Sequence, residues 1–333
     1  MAVSVDNYRT DGSRVVVLIQ AVKLRFSYRD REVLNGIDFI AEKGKVTVLM
    51  GRNGAGKTTL LKHFNGLLKP SSGKVLIDGE EVKYDRKSLL KVRKKVFYVF
   101  QNPDDQILSP TVWQDVAFGP RNLGLSGNDL EKVVKDALKA VGLEGYEKRL
   151  CSTLSGGEKR KLAIASALAM NSDYYIMDEP SANVDGDGFE MIVETVEKLR
   201  SDGKGVVVST HDLDLAKAVG DRFYFMENGR IVWSGEKFNY RIARKLGIRT
   251  FAFGKVILSD QVNHAVKKVD YVAVQNGDAS IERSFRIISG NAVFERAVLK
   301  AIEGYCVLFV CDDVERMAEK MEKYPIDVEI LEE

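Results

Sequence analysis

The sequence predicts a mainly parallel α/β core with a phosphate-binding loop, followed by a second, smaller domain of α/β or α+β type. Three observations predict it. Strand-like and helix-like segments alternate from Val46 to Thr210, a glycine-rich turn joins the first fully apolar run to the first helix, and the charge balance changes sign near Leu246.

Taken in order, the β-branched run Val15–Val22 reads as a strand. Two more strand-like segments, broken by charged turns, follow in LRFSYRDREVLNGIDFIAEKGKVTVLM. Val46–Met50 is the continuous apolar run of a strand buried on both faces, and Lys57–Leu68 has helical spacing. Then come strand Val96–Phe100, helices near Asp129–Val141 and over Arg160–Met170, strand Tyr174–Met177, helix Phe189–Arg200 and strand Gly205–Thr210. Such alternation implies parallel crossovers. Beyond Tyr240, Lys255–Leu258, a helix over Asp260–Lys268 and Tyr271–Val274 form one βαβ-like unit. Val307–Val310, a helix over Val314–Lys323 and Ile326–Ile330 form another, with helical spacing over Asn291–Glu303 between them. The two units share a pattern that any parallel βαβ units share, so a duplication is not required.

Composition narrows the function. The 333 residues exceed the ~150 of one average domain, and no run approaches the ~18 apolar residues of a membrane span. Lys+Arg 50 against Asp+Glu 48 leaves +2, which argues against a nucleic-acid binder that works by neutralising many phosphates. Residues 246–333 hold 11 basic and 15 acidic side chains, net −4, and residues 1–245 hold 39 and 33, net +6. Domains of 1–245 and 246–333 are expected. Three cysteines (Cys151, Cys306, Cys311) and a start without an apolar core favour the cytoplasm. Cys306 and Cys311 fall on opposite faces of one strand and read as packing residues. His63 and His264 likewise fit no ligand set.

Gly51-Arg52-Asn53-Gly54-Ala55-Gly56-Lys57-Thr58 fits G-x-x-x-x-G-K-[ST] between a strand and a helix. Its glycines let backbone N–H groups wrap phosphates, Lys57 reaches the β- and γ-phosphates, and the Thr58 hydroxyl ligates Mg²⁺. By itself this leaves kinases, GTPases and helicases open. Tyr174–Glu179 adds an apolar strand ending in two carboxylates: Asp178 to hold Mg²⁺ and Glu179 to polarise an attacking water. Leu154-Ser155-Gly156-Gly157-Glu158, ahead of the helix at Arg160, offers a second set of amides and a hydroxyl. A single nucleotide can use both sites only if the second comes from another copy.

Over roughly Val15–Gly235 these motifs, in this order, closely resemble the nucleotide-binding subunits of ABC transporters. The resemblance implies a P-loop ABC-type domain with a mixed sheet core, a helical signature subdomain and an antiparallel β subdomain, binding ATP and Mg²⁺. Tyr28 would stack on adenine. The nucleotide contacts would run through Gly51 to Thr59 (Gly51, Arg52, Asn53, Gly54, Ala55, Gly56, Lys57, Thr58, Thr59), the signature Ser155, Gly156, Gly157 and Glu158, and Asp185 of the segment Ser181–Asp185 that crosses the dimer interface, where Val184 stands in place of the commoner Leu. Lys57, Gln101, Glu179 and His211 would be catalytic. Gln101 would join the Mg²⁺ shell, and His211 would bond the γ-phosphate and orient Glu179.

Gln101–Gln106, Ser109–Val112, Asp115–Pro120 and Asn122–Leu125 are similar to the ATPases of energy-coupling-factor importers, most like the cobalt/nickel subgroup. That similarity implies a second ATPase subunit, a transmembrane coupling protein and a substrate-capturing membrane protein, with the chain peripheral on the cytoplasmic face. Ile107, Leu108, Val112, Trp113, Val116 and Phe118 would offer an apolar groove for a helix. Val116 and Phe118 read equally well as core, whereas contact is favoured for Trp113. Vitamin uptake and a non-transport ABC ATPase, such as one for cluster assembly, are the alternatives. The basic stretch Lys83–Lys95 reads as a solvated face before a lipid contact. Asp312, Asp313 and Glu315 suit the start of a helix better than a metal, and the tail is expected to regulate or to stabilise a dimer.

Overall fold

The buried run VTVLM and its parallel neighbours form the centre of the chain's larger unit. The computed structural model describes residues 18–182, 184–248, 255–259, 271–274, 286–288, 293–302, 307–311, 313–321, 324 and 327–330. Residues 15–17, Asn183, His264, Cys306, Asp312 and the expected helix Asp260–Lys268 lie outside them. In chain order the strands and helices are β1 Leu18–Tyr28, β2 Arg31–Glu42, β3 Val46–Met50, α1 Lys57–Phe64, β4 Ser72–Ile77, β5 Glu80–Glu81, α2 Arg86–Lys95, β6 Val96–Val99, α3 Val112–Asn122, α4 Gly127–Ala140, α5 Gly156–Ala169, β7 Tyr174–Asp178, α6 Gly186–Ser201, β8 Gly205–Thr210, α7 Leu213–Val219, β9 Arg222–Glu227, β10 Arg230–Gly235 and α8 Tyr240–Lys245. The rest are β11 Lys255–Ser259, β12 Tyr271–Val274, β13 Arg286–Ile288, α9 Val293–Ile302, β14 Val307–Val310, α10 Val314–Met321 and β15 Asp327–Ile330.

Two compact units divide at Phe238 and Asn239, ahead of the charge break at Leu246, so that α8 falls in the second. In the first, a six-stranded sheet runs β10-β9-β3-β8-β7-β6, and a four-stranded antiparallel sheet runs β2-β1-β4-β5. From β9 to β6 the larger sheet is parallel, and only the β9–β10 hairpin is antiparallel. Its turn is Asn228-Gly229, both with positive φ (46° and 73°), the backbone twist that short hairpins favour.

Helix α1 is wedged between the sheets. Leu60, Leu61 and Phe64 are wholly buried in one core with Ile19 and Phe39 of the antiparallel sheet and Leu49 and Tyr224 of the parallel one. Phe39 stacks on Phe64 at 5.0 Å and touches Tyr224 at 4.5 Å. Burying each of those three α1 side chains is worth roughly 1.5–3 kcal/mol, so the start of α1 is fixed by its far end. Helices α3, α4 and α5 pack on one another as a separate layer. The second unit is an all-parallel sheet, β13-β12-β14-β11-β15, among the described residues. Its core joins Phe294, Ala297 and Val298 of α9 to Val307, Phe309, Met317 and Met321.

Candidate functional site

Between β3 and α1 the chain turns in the loop Gly51–Gly56. A Cβ on Gly51 would lie 2.4 Å from the Met226 carbonyl oxygen, so glycine alone lets the strand end pass β9. Gly56 caps α1 in the left-handed region at φ 105°. No side chain caps this helix and no acidic residue sits in its first turn, which leaves amides and the positive end of the helix dipole for an anion. Lys57 is buried; its Nζ donates to the Gly51 carbonyl at 2.8 Å and lies 3.1 Å from Glu179 Oε1.

The register of β7 on β8 sets the acidic side. Asp178 sits opposite Ser209, whose hydroxyl donates to Asp178 Oδ1, while Tyr98 Oη on β6 donates to Oδ2 at 2.9 Å. Burial and the Asp178 charge push the Tyr98 phenol pKa up, which keeps it a donor. One residue on, Glu179 adopts φ 47°, a left-handed turn that costs a side-chain-bearing residue ~1 kcal/mol or more. Its N–H donates to the Ser209 carbonyl at 3.0 Å. This kink takes Glu179 off the line of β7 and brings it to Lys57. His211 Nδ1 stands 2.8 Å from Glu179 Oε2, and the His211 N–H donates to the same oxygen at 3.3 Å. The carboxylate therefore has a buried cation on one oxygen and an imidazole on the other, the setting of an oriented base.

Lys57 and Glu179 face a pocket of about 520 Å³ that is also lined by Tyr28, Arg31, Val33, Arg52, Asn53, Gly54, Gly56, Thr58, Thr59 and Gln101, whereas His211 does not line it. Tyr28 is 48% exposed and held edge-on by Phe26 at 4.8 Å, so a ring face is available for stacking. Arg31 and Val33 are additions to the set drawn from sequence. Tyr28 pairs with Arg31 across the β1–β2 turn, and a hairpin at Arg29-Asp30 is the signal that would have found Arg31. Gly51 and Ala55 form the loop's inner wall and do not line the pocket, and Asp178 lies behind it with both oxygens engaged.

The signature segment lies elsewhere. Sequence spacing starts its helix at Arg160, but α5 begins at Gly156, so Gly156, Gly157 and Glu158 form its first turn. The reason is a capping box: Ser155 Oγ accepts from the Glu158 N–H at 3.2 Å, and Glu158 Oε2 accepts from the Ser155 N–H at 2.7 Å. Gly156 lines a second hollow of about 400 Å³ with Gln101, Asn102, Pro103, Asp104, Lys159, Arg160 and Ala182. Gln101 thus borders both spaces, while Ser155, Gly157 and Glu158 line neither. Asp185 accepts from the Gly188 N–H at 2.8 Å as the cap of α6, also outside both.

Of the proposed groove, Val112 and Val116 belong to the core because α3 turns them inward. Leu108 and Phe118 are exposed, at 72% and 49%, and Trp113 is half-buried with the Arg121 guanidinium 5.4 Å from its ring. His63 is fully buried, with Nδ1 2.7 Å from the Thr59 carbonyl. Cys151 and Cys311 are buried, the former with its thiol pushed up to about 11 by burial and by Asp115. Asp313 accepts from the Arg316 N–H at 3.0 Å at the start of α10. No group of three or more His, Cys, Asp or Glu among the described residues is gathered to hold a metal ion.

A nucleotide-borne Mg²⁺ needs no such group, since it takes one or two protein oxygens and fills the rest with phosphate and water. The hydroxyl of Thr58 and the amide oxygen of Gln101 at the pocket, with the carboxylate of Asp178 behind, are hard oxygen donors that fit it. Bound there, the ion would neutralise phosphate charge.

The family model described as ABC transporter matches residues 34–182. A putative ABC transporter ATP-binding protein of Archaeoglobus fulgidus is 66% identical over 314 residues, covering 94% of this chain and all of that protein. An energy-coupling factor transporter ATP-binding protein, EcfA, of Methanococcus maripaludis is 49% identical over 66% of this chain and 80% of its own length. Among solved structures, CbiO1 of Clostridium perfringens, described as part of the ABC transporter complex CbiONQ, superposes with a TM-score of 0.61 at 36% identity, over 66% of this chain and 89% of that one. A dimeric ATP-binding cassette in a post-hydrolysis state with ADP and Pi gives 0.61 at 28% identity, over 66% and 99%. With two thirds of its residues shared along the whole Archaeoglobus protein, this chain belongs to the ATP-binding proteins of ABC transporters and is an ATPase.

Proposed function

We propose that the chain is the ATP-hydrolysing subunit of an energy-coupling-factor importer for a transition-metal ion, cobalt or nickel. It works as a dimer with a second ATPase subunit on the cytoplasmic face of the membrane, bound there to a transmembrane coupling protein and a substrate-capturing protein. The observation that carries this reading is the split site: most of the loop Arg52–Thr59 shares one pocket with Gln101 and Glu179, while of the signature turn Gly156 lines another hollow and Ser155, Gly157 and Glu158 line neither. An ATP seated on the first would be completed by Ser155–Gly157 of a second chain, with Thr58, Asp178 and Gln101 holding Mg²⁺, Glu179 as base and His211 orienting it. Closure on ATP and reopening after loss of the γ-phosphate drive the membrane partner, which requires ATP to favour the closed dimer.

Likeness to EcfA supports the energy-coupling-factor class and likeness to CbiO1 supports work within a transporter complex; the metal rests on the resemblance of Gln101–Leu125 to the cobalt/nickel subgroup. Exposed Leu108 and Phe118 support a helix-docking surface, and no helix among the described residues is long and apolar enough to cross a membrane. Co-purification from membranes, with metal analysis of uptake by reconstituted vesicles, tests the proposal. Recovery with a coupling protein and ATP-dependent accumulation of cobalt or nickel is expected. A complex that accumulates a vitamin would overturn the metal assignment, and absence of any membrane partner would overturn transport.

A further inference from the structure

Arg160 is 4% exposed, yet it forms no ion pair among the described residues. Its guanidinium is spent on backbone: Nη1 donates to the Phe100 carbonyl at 2.9 Å and Nη2 to the Gln101 carbonyl. Burial lowers its pKa and the Asp178 charge opposes that shift. A charge taken out of water costs several kcal/mol, and Asp178, itself bonded to Ser209 and Tyr98, offsets only part of that, so a purely structural need here would be met more cheaply by a neutral donor. Two further links tie the same segments. Gln106 accepts from the Phe100 N–H at 3.1 Å and donates to the Ala163 carbonyl of α5 at 2.8 Å, and Lys159 Nζ meets Asp104 at 2.6 Å. Among the described residues only Arg160 grips the Gln101 backbone itself.

Arg160 stands two residues beyond Glu158, on the helix whose first turn is the signature segment. Gln101, at the other end of the grip, lines the nucleotide pocket of the same chain. We propose that Arg160 is the positioning residue that makes Gln101 follow the signature turn, so that seating of one chain's signature on its partner's ATP places Gln101 over that chain's own ATP. The two nucleotide sites of a dimer are thereby coupled through one side chain in each protomer. A planar guanidinium suits this because it holds two successive carbonyls in one fixed orientation, which an ammonium does not. A rigid helix and a stiff two-bond grip form the kind of element whose two positions both sites bias. This inference rests on the two-chain site proposed above.

The test compares full-length parent, Arg160→Met, Arg160→Lys and Ser155→Ala in ATP binding, steady-state hydrolysis and thermal melting. For Arg160→Met the expected result is unchanged Mg-ATP affinity of the single chain, kcat lower by roughly 10²-fold from misplacement of Gln101, and a Hill coefficient reduced from above one to one. Arg160→Lys should keep the melting temperature but lose the cooperativity. Parental kcat and Hill coefficient in both Arg160 variants, or a lowered melting temperature as their sole effect, would overturn the role. A Hill coefficient of one in the parent would overturn it as well. If Ser155→Ala hydrolyses ATP like the parent, the two-chain site itself fails. If Ser155→Ala is inactive while both Arg160 variants behave as parent, only the Arg160 proposal falls.

Discussion

Replacing Glu179 by Gln releases Lys57 in the nucleotide-free chain. The two side chains are each 6% exposed and stand 3.1 Å apart, so phosphates that recruit Lys57 must first draw it from the carboxylate. The direct attraction at this distance is about 5 kcal/mol at an effective dielectric of ~20. The contact is an ion pair with no hydrogen bond at Glu179 Oε1, and desolvation offsets most of the attraction, leaving on the order of 2 kcal/mol net. A Gln oxygen keeps roughly half of it. The substitution therefore relieves about 1 kcal/mol and tightens binding to the single chain about fivefold. ATP alone does not isolate this effect, because the lost charge also ceases to repel the γ-phosphate. ADP lacks that group. Titration with fluorescent ADP and ATP, at concentrations too low for dimers, should show about fivefold tighter ADP and a larger gain for ATP, with hydrolysis down by about 10²–10⁴. ADP affinity unchanged or weaker, in a variant with parental circular dichroism, refutes the lock between Lys57 and Glu179.

Ser155→Ala removes half of the α5 capping box. It should cost about 1 kcal/mol in urea denaturation, preserve ATP binding to the same chain and impair hydrolysis; parental turnover would contradict the signature's role. Tyr28→Ala should weaken ATP by ~1–3 kcal/mol, the range for stacking on a base, and leave pyrophosphate affinity unchanged in the same titration. Equal loss for both ligands would remove Tyr28 from the adenine side. His63 is held at a pKa of about 4, below its ordinary 6.5, by burial. The unfolded chain takes up this proton first as pH falls, so stability is full above pH 6.5 and declines toward pH 4, by about 3 kcal/mol in all. Urea midpoints of His63→Leu between those pH values should lack this part of the slope, and an identical slope would exclude His63 as its source.

What sequence reveals here is what chain neighbours decide. VTVLM followed by GRNGAGKT gives β3, the loop and α1 because an apolar run and a glycine turn are local signals. The hairpin turns Asp78-Gly79 and Asn228-Gly229 are equally local, so β4–β5 and β9–β10 stand in the sequence for a reader who follows turn chemistry. Helix α3 is concealed by Pro110, Gly119, Pro120 and Gly124, although Thr111 caps it through the Gln114 N–H. Glycine signals also hide the first turn of α5, where Ser155 and Glu158 outweigh the poor propensity of Gly156 and Gly157. The left-handed turn at Glu179, the Tyr98 bond to Asp178 and the Arg160 grip on Gln101 join residues far apart in the chain. No spacing rule reaches them, because they arise only once β6, β7 and β8 lie side by side.

The capping box at Ser155 also orients its hydroxyl. A serine oxygen carries one proton and two lone pairs and can answer donors or acceptors alike. Here the helix's own Glu158 N–H occupies a lone pair, and the Glu158 carboxylate fills the Ser155 N–H. The proton and one lone pair are left over. With its oxygen already accepting from the helix, the hydroxyl has its proton to offer an electron-rich oxygen such as that of a phosphate, without giving up the cap that starts α5.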